Sequence, residues 1–296
     1  MYKVMAVNAG SSSLKYKLFE MPEEKVLCSG LADRIGHEDG IFKIKYNGKE
    51  VKQILPIMDH AKGVQLVLDA LTKYGIVKDL KEIKCVGHRI VQGGKYFSHS
   101  VDFDKDTEAK ITKLIPLDPL HAPAHLVGFH AFEKALPGVP EIAVFDTAFH
   151  QTMEPEDYLY PVPYEMSEKY DCRRYGAHGT SHNYLANKAI KDYLGGKRNM
   201  RIISCHIGSG ASLCAIYDGK CVATSMFLLL LNHKGKGEKN FPLCLGDLFD
   251  VAPTAFVLYR LKTVPSILNL VVFLEVKVCF SVLNSSFQKM HRLIEH

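Results

Sequence analysis

The sequence predicts an α/β protein made of two related units, and three observations carry that prediction. A strand–turn–strand pattern at Lys3–Leu18, KVMAVNAGSSSLKYKL, recurs at Arg201–Tyr217, RIISCHIGSGASLCAIY. Short apolar runs alternate with segments whose apolar residues keep helical spacing. A polar residue, Asn8, Arg89, Asp146 or His206, falls at the end of four of those apolar runs. In an open α/β sheet that is where ligands bind, outside the carboxyl ends of the strands.

In chain order, Val4–Val7 and Leu14–Leu18 read as two strands around a turn of small residues, Ala9 to Ser13. Such a turn reads either as a plain polar hairpin or as a cradle of backbone N–H groups and hydroxyls for an anion. Lys25–Cys28 is a third strand, and Ile41–Tyr46 with Val51–Ile54 is a hairpin around Asn47-Gly48. Val64, Val67, Leu68 and Leu71 mark one face of a helix over Ala61–Tyr74, with Gly75 as its stop. Ile83–Val86 is a short strand, Asp106–Leu114 and Ala124–Ala135 are helices, and Ile142–Phe145 is a buried strand ending at Asp146. In the second hairpin Gly208 matches Gly10, and Ser212-Leu213 matches Ser13-Leu14. Two such turns predict two related units presented to one polyanion.

Composition narrows the function classes. A chain of 296 residues, 47% hydrophobic and 23% charged, has the balance of a globular protein long enough for two cores. The net charge of +5 suits a small anionic ligand. Its basic residues are dispersed and not interleaved with aromatics, which excludes a nucleic-acid surface. The eight cysteines form no C-x-x-C pair, so they predict free thiols in a reducing cytoplasm, not a zinc knuckle or a redox motif. Asn8 interrupts the first apolar run too early for a signal peptide, and the run Met226–Leu231 is far too short to span a membrane.

The residue types then suggest chemistry. Asn8 offers a neutral oxygen to a metal-bound water or a phosphate, and Lys15 adds a point charge beside the first turn. Arg89 can grip a carboxylate or phosphate with two parallel hydrogen bonds. Asp146 suits a base, an anchor for metal-bound water or an orienting group. In the stretch RRYGAHGTSH, Arg173 and Arg174 read either as a solvated pair or as part of a cationic loop. In the first reading His182 begins a helix as an N-terminal polar residue; in the second His178 would donate to a phosphoryl group in transfer. Neither G-x-x-x-x-G-K-[ST] nor G-x-G-x-x-G is present, which weakens the P-loop and dinucleotide readings.

The motifs VNAGSSSLKYKL, GHRIVQGGKYFSHS, PLHAPAHLVG, AVFDTAFHQTM, RRYGAHGTSH and HIGSGASLCAI, in that order across residues 3 to 226, make the chain resemble the acetate kinases of the acetate and sugar kinase, heat-shock and actin superfamily. The resemblance implies duplicated actin-like ATPase (ribonuclease H-like) α/β domains with a cleft between them, usually in a homodimer. It implies transfer of the γ-phosphate of ATP to acetate, with magnesium. Carried onto this chain, Asn8 would help hold Mg2+ and Lys15 would approach ATP. Arg89 would bind the substrate carboxylate or phosphate, Val91 and Leu120 would line the acyl pocket, Asp146 would be the catalytic acid/base or orienting group, and His178 would stabilise the transition state. His206, Ile207, Gly208, Ser209 and Gly210 would form the phosphate loop of the second domain. The organisation expected is an N-terminal domain over 1–147, the start of a second over 148–226, and a divergent tail over 227–296.

Three residues depart from the family pattern inside its motifs: Gln92 for His, Ala177 for Phe and Ser209 for Asn. From Phe227 the sequence follows neither the family nor a clear period of 2.0 or 3.6. Leu245-Gly246-Asp247 echoes a family motif only superficially, and Arg260 lies too far along to supply its arginine. The expectation is a frameshifted or otherwise altered tail, with a divergent extension as the alternative, an incomplete second domain and impaired activity. A catalytically silent nucleotide- or phosphate-binding homologue and a non-functional fragment are the competing readings.

Overall fold

Along β1 (Tyr2–Ala9) the side chains of Met5, Val7 and Ala9 are buried, whereas Ala6 and Asn8 face the other way. β2 (Ser13–Met21) repeats the alternation with Leu14, Tyr16 and Leu18 inward and Lys15 and Lys17 outward. That period of two commits one sheet face to a core and leaves the other polar. The computed structural model describes residues 1–208 and 210–226, together with the backbone of 270–276. The chain divides into two compact units, Met1–Ala148 and a second beginning at Phe149.

The first unit is built on a mixed sheet. β3 (Lys25–Asp33), β4 (Ile41–Tyr46) and β5 (Lys49–Ile54) continue the antiparallel meander from β2. β6 (Ile83–Ile90) pairs parallel to β1, and β8 (Glu141–Phe145) pairs parallel to β6. The short β7 (Val101–Asp102) closes the edge, giving the order β5-β4-β3-β2-β1-β6-β8-β7. Helix α1 (His60–Lys73) is capped by Asp59, whose carboxylate accepts the Lys62 N–H at 2.7 Å. Its stripe Val64, Val67, Leu68 and Leu71 is buried against Leu14, Leu18, Phe42 and Ile44 of the sheet. α2 (Lys105–Lys113), capped by Asp104, and α3 (Ala122–Ala135) complete the unit. α3 starts two residues earlier than its apolar pattern predicts, because Pro123 is tolerated in a first helical turn, where its missing N–H has no partner to lose. Phe97, Phe129 and Phe145 sit at the centre of a second, smaller core.

In the second unit, α4 (Pro155–Tyr158) and α5 (Tyr164–Tyr170) precede α6 (Gly179–Asp192). β9 (Arg201–Ile207), β10 (Ala211–Tyr217), β11 (Lys220–Thr224) and β12 (Leu270–Val276) form a sheet ordered β11-β10-β9-β12, with β9 and β12 parallel. That order repeats β3-β2-β1-β6, so the duplication inferred from the two hairpins holds for the sheets. β12 comes from the tail, and its sequence LVVFLEV opens on five consecutive apolar residues, as strands in parallel pairs do, so it shows no period of two before Glu275.

Several local readings need correction. The third strand runs on to Asp33, and the first strand of each hairpin, like β6, runs through its polar residue. Asn8, Arg89 and His206 therefore lie within the last two residues of β1, β6 and β9, while Asp146 alone falls just past its strand. The ladder is made by backbone groups, and a polar side chain does not end it. The matched serines do not occupy equivalent ladder positions: Asn8 faces Lys15, but His206 faces Ser212, a slip of two residues that keeps the same face outward. Arg174 is no solvated residue. It is 5% exposed and its Nη1 donates to the Thr224 carbonyl at 2.8 Å, while the Arg173 guanidinium lies 3.5 Å over the Tyr158 ring.

Candidate functional site

The site in the first unit follows from strand direction. β1, β6 and β8 are parallel neighbours, so their carboxyl ends share one sheet edge, and Asn8, Arg89 and Asp146 lie on it. The Arg89 Nε donates to Asp146 Oδ2 at 2.7 Å. Asp146 is buried, with 3% of its side chain exposed, whereas 46% of the Arg89 side chain is exposed. The carboxylate thus fixes the guanidinium from below while its outer face meets solvent. The Asp146 backbone is itself pinned by an N–H bond to the Ile90 carbonyl at 2.9 Å.

Lys15 stands directly across the ladder from Asn8, and its row continues through Leu31 to Lys43. Ala6, Lys17, Ser29 and Lys45 form the next row. With Arg89 these lysines line a depression of about 520 Å³ on the polar face of the sheet. Such a concentration of one sign attracts anions before any specific contact forms.

The first turn is tighter than a free cradle. The Gly10 N–H closes on the Ser13 carbonyl at 2.8 Å, and the His60 Nε2 lies 2.8 Å from the Gly10 carbonyl. His125, 2% exposed, joins two parts of the edge. The Val91 N–H donates to its Nε2 at 3.2 Å, which leaves Nδ1 to donate to the Ala9 carbonyl at 2.9 Å. Burial drives its pKa down to about 4, so it serves as a neutral brace. The Val91 side chain is half-buried and Leu120, before α3, is 69% exposed. Gln92, buried, accepts the Gly94 N–H through Oε1 at 2.8 Å, while Thr147 accepts that of Gly93 at 2.9 Å. The residue that departs from the family pattern at 92 therefore shapes the loop behind Asp146.

The second unit brings its own expected residues together. His178 is the N-cap of α6, and its ring stacks on that of His206 with centroids 4.0 Å apart. A Cβ at Gly210 would come within 3.3 Å of the His178 ring, so Gly210 packs directly on it. The Gly208 N–H donates to the Gly210 carbonyl at 3.0 Å. Ile207 ends β9, and Ser209 lies outside the described residues. Beneath this pair, His182 is fully buried between Ser204 Oγ at 2.7 Å and Ser212 Oγ at 2.9 Å, and Ser212 Oγ also meets His178 Nδ1 at 2.8 Å. Burial first, then the neighbouring histidines, pushes His182 down to about 3, so it donates through one nitrogen and accepts through the other. His206 is held by Ser181 Oγ at 3.0 Å from its Nδ1.

Sequence reasoning gave no role to His125 or Ser204, matched Ser212 only as part of the repeat, and placed His182 at the start of a helix, whereas α6 begins at Gly179 with His178 as its N-cap and His182 lies inside it. All four lie inside or beside the quoted motifs, but a histidine that braces two backbone segments has no spacing signature. The strand β11 did have one: Asp218-Gly219, both at positive φ, is the two-residue hairpin turn that joins it to β10.

The fold is α/β of the actin-like ATPase kind, and its two sheets carry polar residues at the ends of repeated strands. A family model described as the acetokinase family matches residues 3–233. An acetate kinase from Bacillus velezensis is 51% identical over 226 residues, which are 76% of this chain and 57% of that protein. The crystal structure of Porphyromonas gingivalis acetate kinase superposes with a TM-score of 0.76 at 39% identity, covering 90% of this chain and 66% of that one. A propionate kinase structure from Francisella tularensis gives 0.73 at 34% identity, over 90% of this chain and 66% of that one. The chain belongs to the acetokinase family. It spans 57% of the length of the curated relatives it matches.

Proposed function

We propose that this chain performs carboxyl phosphotransfer, moving the γ-phosphate of ATP to acetate to give acetyl phosphate and ADP, reversibly. The observation that carries the reading is the Arg89 Nε–Asp146 Oδ2 bond at 2.7 Å on the edge shared by β1, β6 and β8. A buried carboxylate holding a half-exposed guanidinium is a ready receptor for a small carboxylate or phosphate, since one side of the fork is fixed in advance. In this reading Arg89 binds the acyl carboxylate, Val91 and Leu120 contact its methyl end, and Asp146 orients the reacting oxygen. Asn8 and Lys15 meet the phosphate chain. His178 donates to the phosphoryl oxygens, steadied by His206, and residues 207–210 approach ATP. Asn8 and Asp146 are oxygen donors on one edge, the donor chemistry Mg2+ requires, so they would hold the ion, in part through its waters. Bound magnesium would neutralise charge on the β- and γ-phosphates.

The reading makes the protein a cytoplasmic homodimer with small-molecule partners and no nucleic-acid or membrane partner; among the described residues no helix is long and apolar enough to cross a membrane. Acetyl phosphate formation from acetate and MgATP by the purified chain tests it, and Arg89→Ala should lower kcat/KM for acetate about 30- to 1000-fold. A wild-type chain without turnover would overturn it. The second reading is a phosphate-binding homologue without turnover, favoured by the departure of the sequence from the family pattern after Met226. It requires saturable binding of ATP or acetyl phosphate with no product, whereas a fragment without function would show neither binding nor a cooperative melt.

A further inference from the structure

The second unit holds a cluster that phosphotransfer does not use. His150 sits in a short 3-10 turn, Ala148–Thr152, and Cys214 and Cys221 lie on β10 and β11. Their exposures are 0%, 0% and 1%. His150 Nδ1 is 3.2 Å from Cys221 Sγ, the two sulfurs are 3.5 Å apart, and all three donor atoms lie within 4.8 Å of one another. We propose that His150, Cys214 and Cys221 form a binding site for a thiophilic divalent cation, Zn2+.

The spacing is what a bound ion needs. Bonds of about 2.3 Å to sulfur and about 2.05 Å to nitrogen at tetrahedral angles place two sulfurs ~3.8 Å apart and a sulfur and nitrogen ~3.6 Å apart. The Cys214–Cys221 and His150–Cys221 separations, 3.5 and 3.2 Å, are within a few tenths of an ångström of these, and the third pair lies within 4.8 Å. The donor set also suits the charge: two thiolates and a neutral imidazole exactly balance a divalent ion, which matters in a core where net charge is costly. Three protein ligands leave a fourth position for water or a small donor.

The positions are also braced. Cys214 and Cys221 are on strands joined by the tight Asp218-Gly219 turn, and Thr152 Oγ1 donates to the Cys221 carbonyl at 2.8 Å, which ties the His150 turn to β11. Loading the ion releases the thiol protons to solvent and changes no oxidation state. The cysteines are separated by six residues and the histidine lies far upstream, so no compact motif announces the site.

The test is titration of the full, metal-free, chemically reduced chain with Co2+ as a spectroscopic stand-in, followed by displacement with Zn2+. Binding of one equivalent should produce a near-ultraviolet thiolate-to-cobalt band and strong visible ligand-field bands, both abolished by Zn2+. The thiolate band should weaken in Cys214→Ser and in Cys221→Ser, vanish in the double variant, and persist in Cys28→Ser. A second measurement needs no variant: Zn2+ should protect Cys214 and Cys221 of the wild-type chain from alkylation, read by peptide mapping. No thiolate band in the wild type, a band that survives in the double variant, or alkylation of both cysteines unaffected by Zn2+ would each overturn the proposal. Cobalt held only by the His178–His206 pair would give no thiolate band and would count against it too.

Discussion

His125 bonds through its two ring nitrogens to backbone groups at the ends of two parallel strands, Ala9 of β1 and Val91 just past β6. His125→Ala removes both bonds and leaves a buried carbonyl and N–H unsatisfied. At about 1–3 kcal/mol for each orphaned group, the expected loss is about 2–6 kcal/mol in urea unfolding. Because Ala9 adjoins Asn8 and Val91 adjoins Ile90, KM for both substrates should rise as well. A variant of wild-type stability would show that the brace carries nothing.

Gly128 of α3 is where the helix comes nearest to β1: a Cβ there would lie 2.7 Å from the Ala9 Cβ. Gly128→Ala should gain about 1 kcal/mol from helix propensity alone. Overpacking against a rigid strand costs about 1–3 kcal/mol. The net effect expected is destabilisation, seen as a lower urea midpoint; a more stable variant would mean that α3 moves away without penalty.

Phe129 is fully buried, stacked on Phe103 at 3.7 Å and on His88 at 4.0 Å. Phe129→Ala should cost about 3–5 kcal/mol. Phe129→Leu should recover much of that, so the pair of variants separates lost volume from lost ring stacking.

His88 Nε2 and Glu141 Oε2 are in contact at 2.7 Å without hydrogen-bond alignment, and both side chains are buried. Burial lowers His88 to about 3 and, with a smaller contribution from Glu133, raises Glu141 to about 8, so near neutrality the pair is mostly uncharged. From about pH 4.5 to 8 the folded state holds a proton on Glu141 that the unfolded chain releases, so stability from this group falls as pH rises. From about pH 3 to 6.5 His88 acts in the opposite sense, because only the unfolded chain takes up its proton. The two slopes cancel between about pH 4.5 and 6.5, leaving a plateau with losses of up to about 1.4 kcal/mol per pH unit on either side. Urea midpoints across this range should show it, and Glu141→Gln should flatten the alkaline side and turn the plateau into a rise that continues to about pH 6.5.

Ala177 stands where the family pattern has a phenyl ring, and its N–H donates to Met226 Sδ at 3.2 Å. Under the proposed function, the smaller side chain should improve kcat/KM for propionate relative to acetate by several-fold, since a buried methylene contributes about 0.8 kcal/mol. Ala177→Phe should restore the preference for acetate. A strict acetate preference in the wild type would remove the argument.

The sheet of the first unit was legible because its periods are clean: Met5, Val7 and Ala9 alternate, and Val64, Val67, Leu68 and Leu71 recur at helical spacing. The edge bearing Asn8, Arg89 and Asp146 was legible too, since strand ends in an α/β sheet collect function. What escaped was long-range. Neither the slip between the two hairpin ladders nor the burial of Arg174 against Thr224 leaves a trace in spacing. The same holds for His182, whose partners Ser204 and Ser212 come from two different strands. In β12 the signal was absent for the opposite reason, because five apolar residues in a row, Leu270 to Leu274, carry no alternation to read.

The lysine rows on the polar face of the first sheet act on a ligand before it arrives. Lys15, Lys17 and Lys43 work as an antenna whose reach is set by the surrounding electrolyte, about 8 Å at physiological ionic strength. Added salt will therefore slow the capture of a multiply charged anion far more than it hastens its escape, so crowding by other ions will be felt first as a delay in loading.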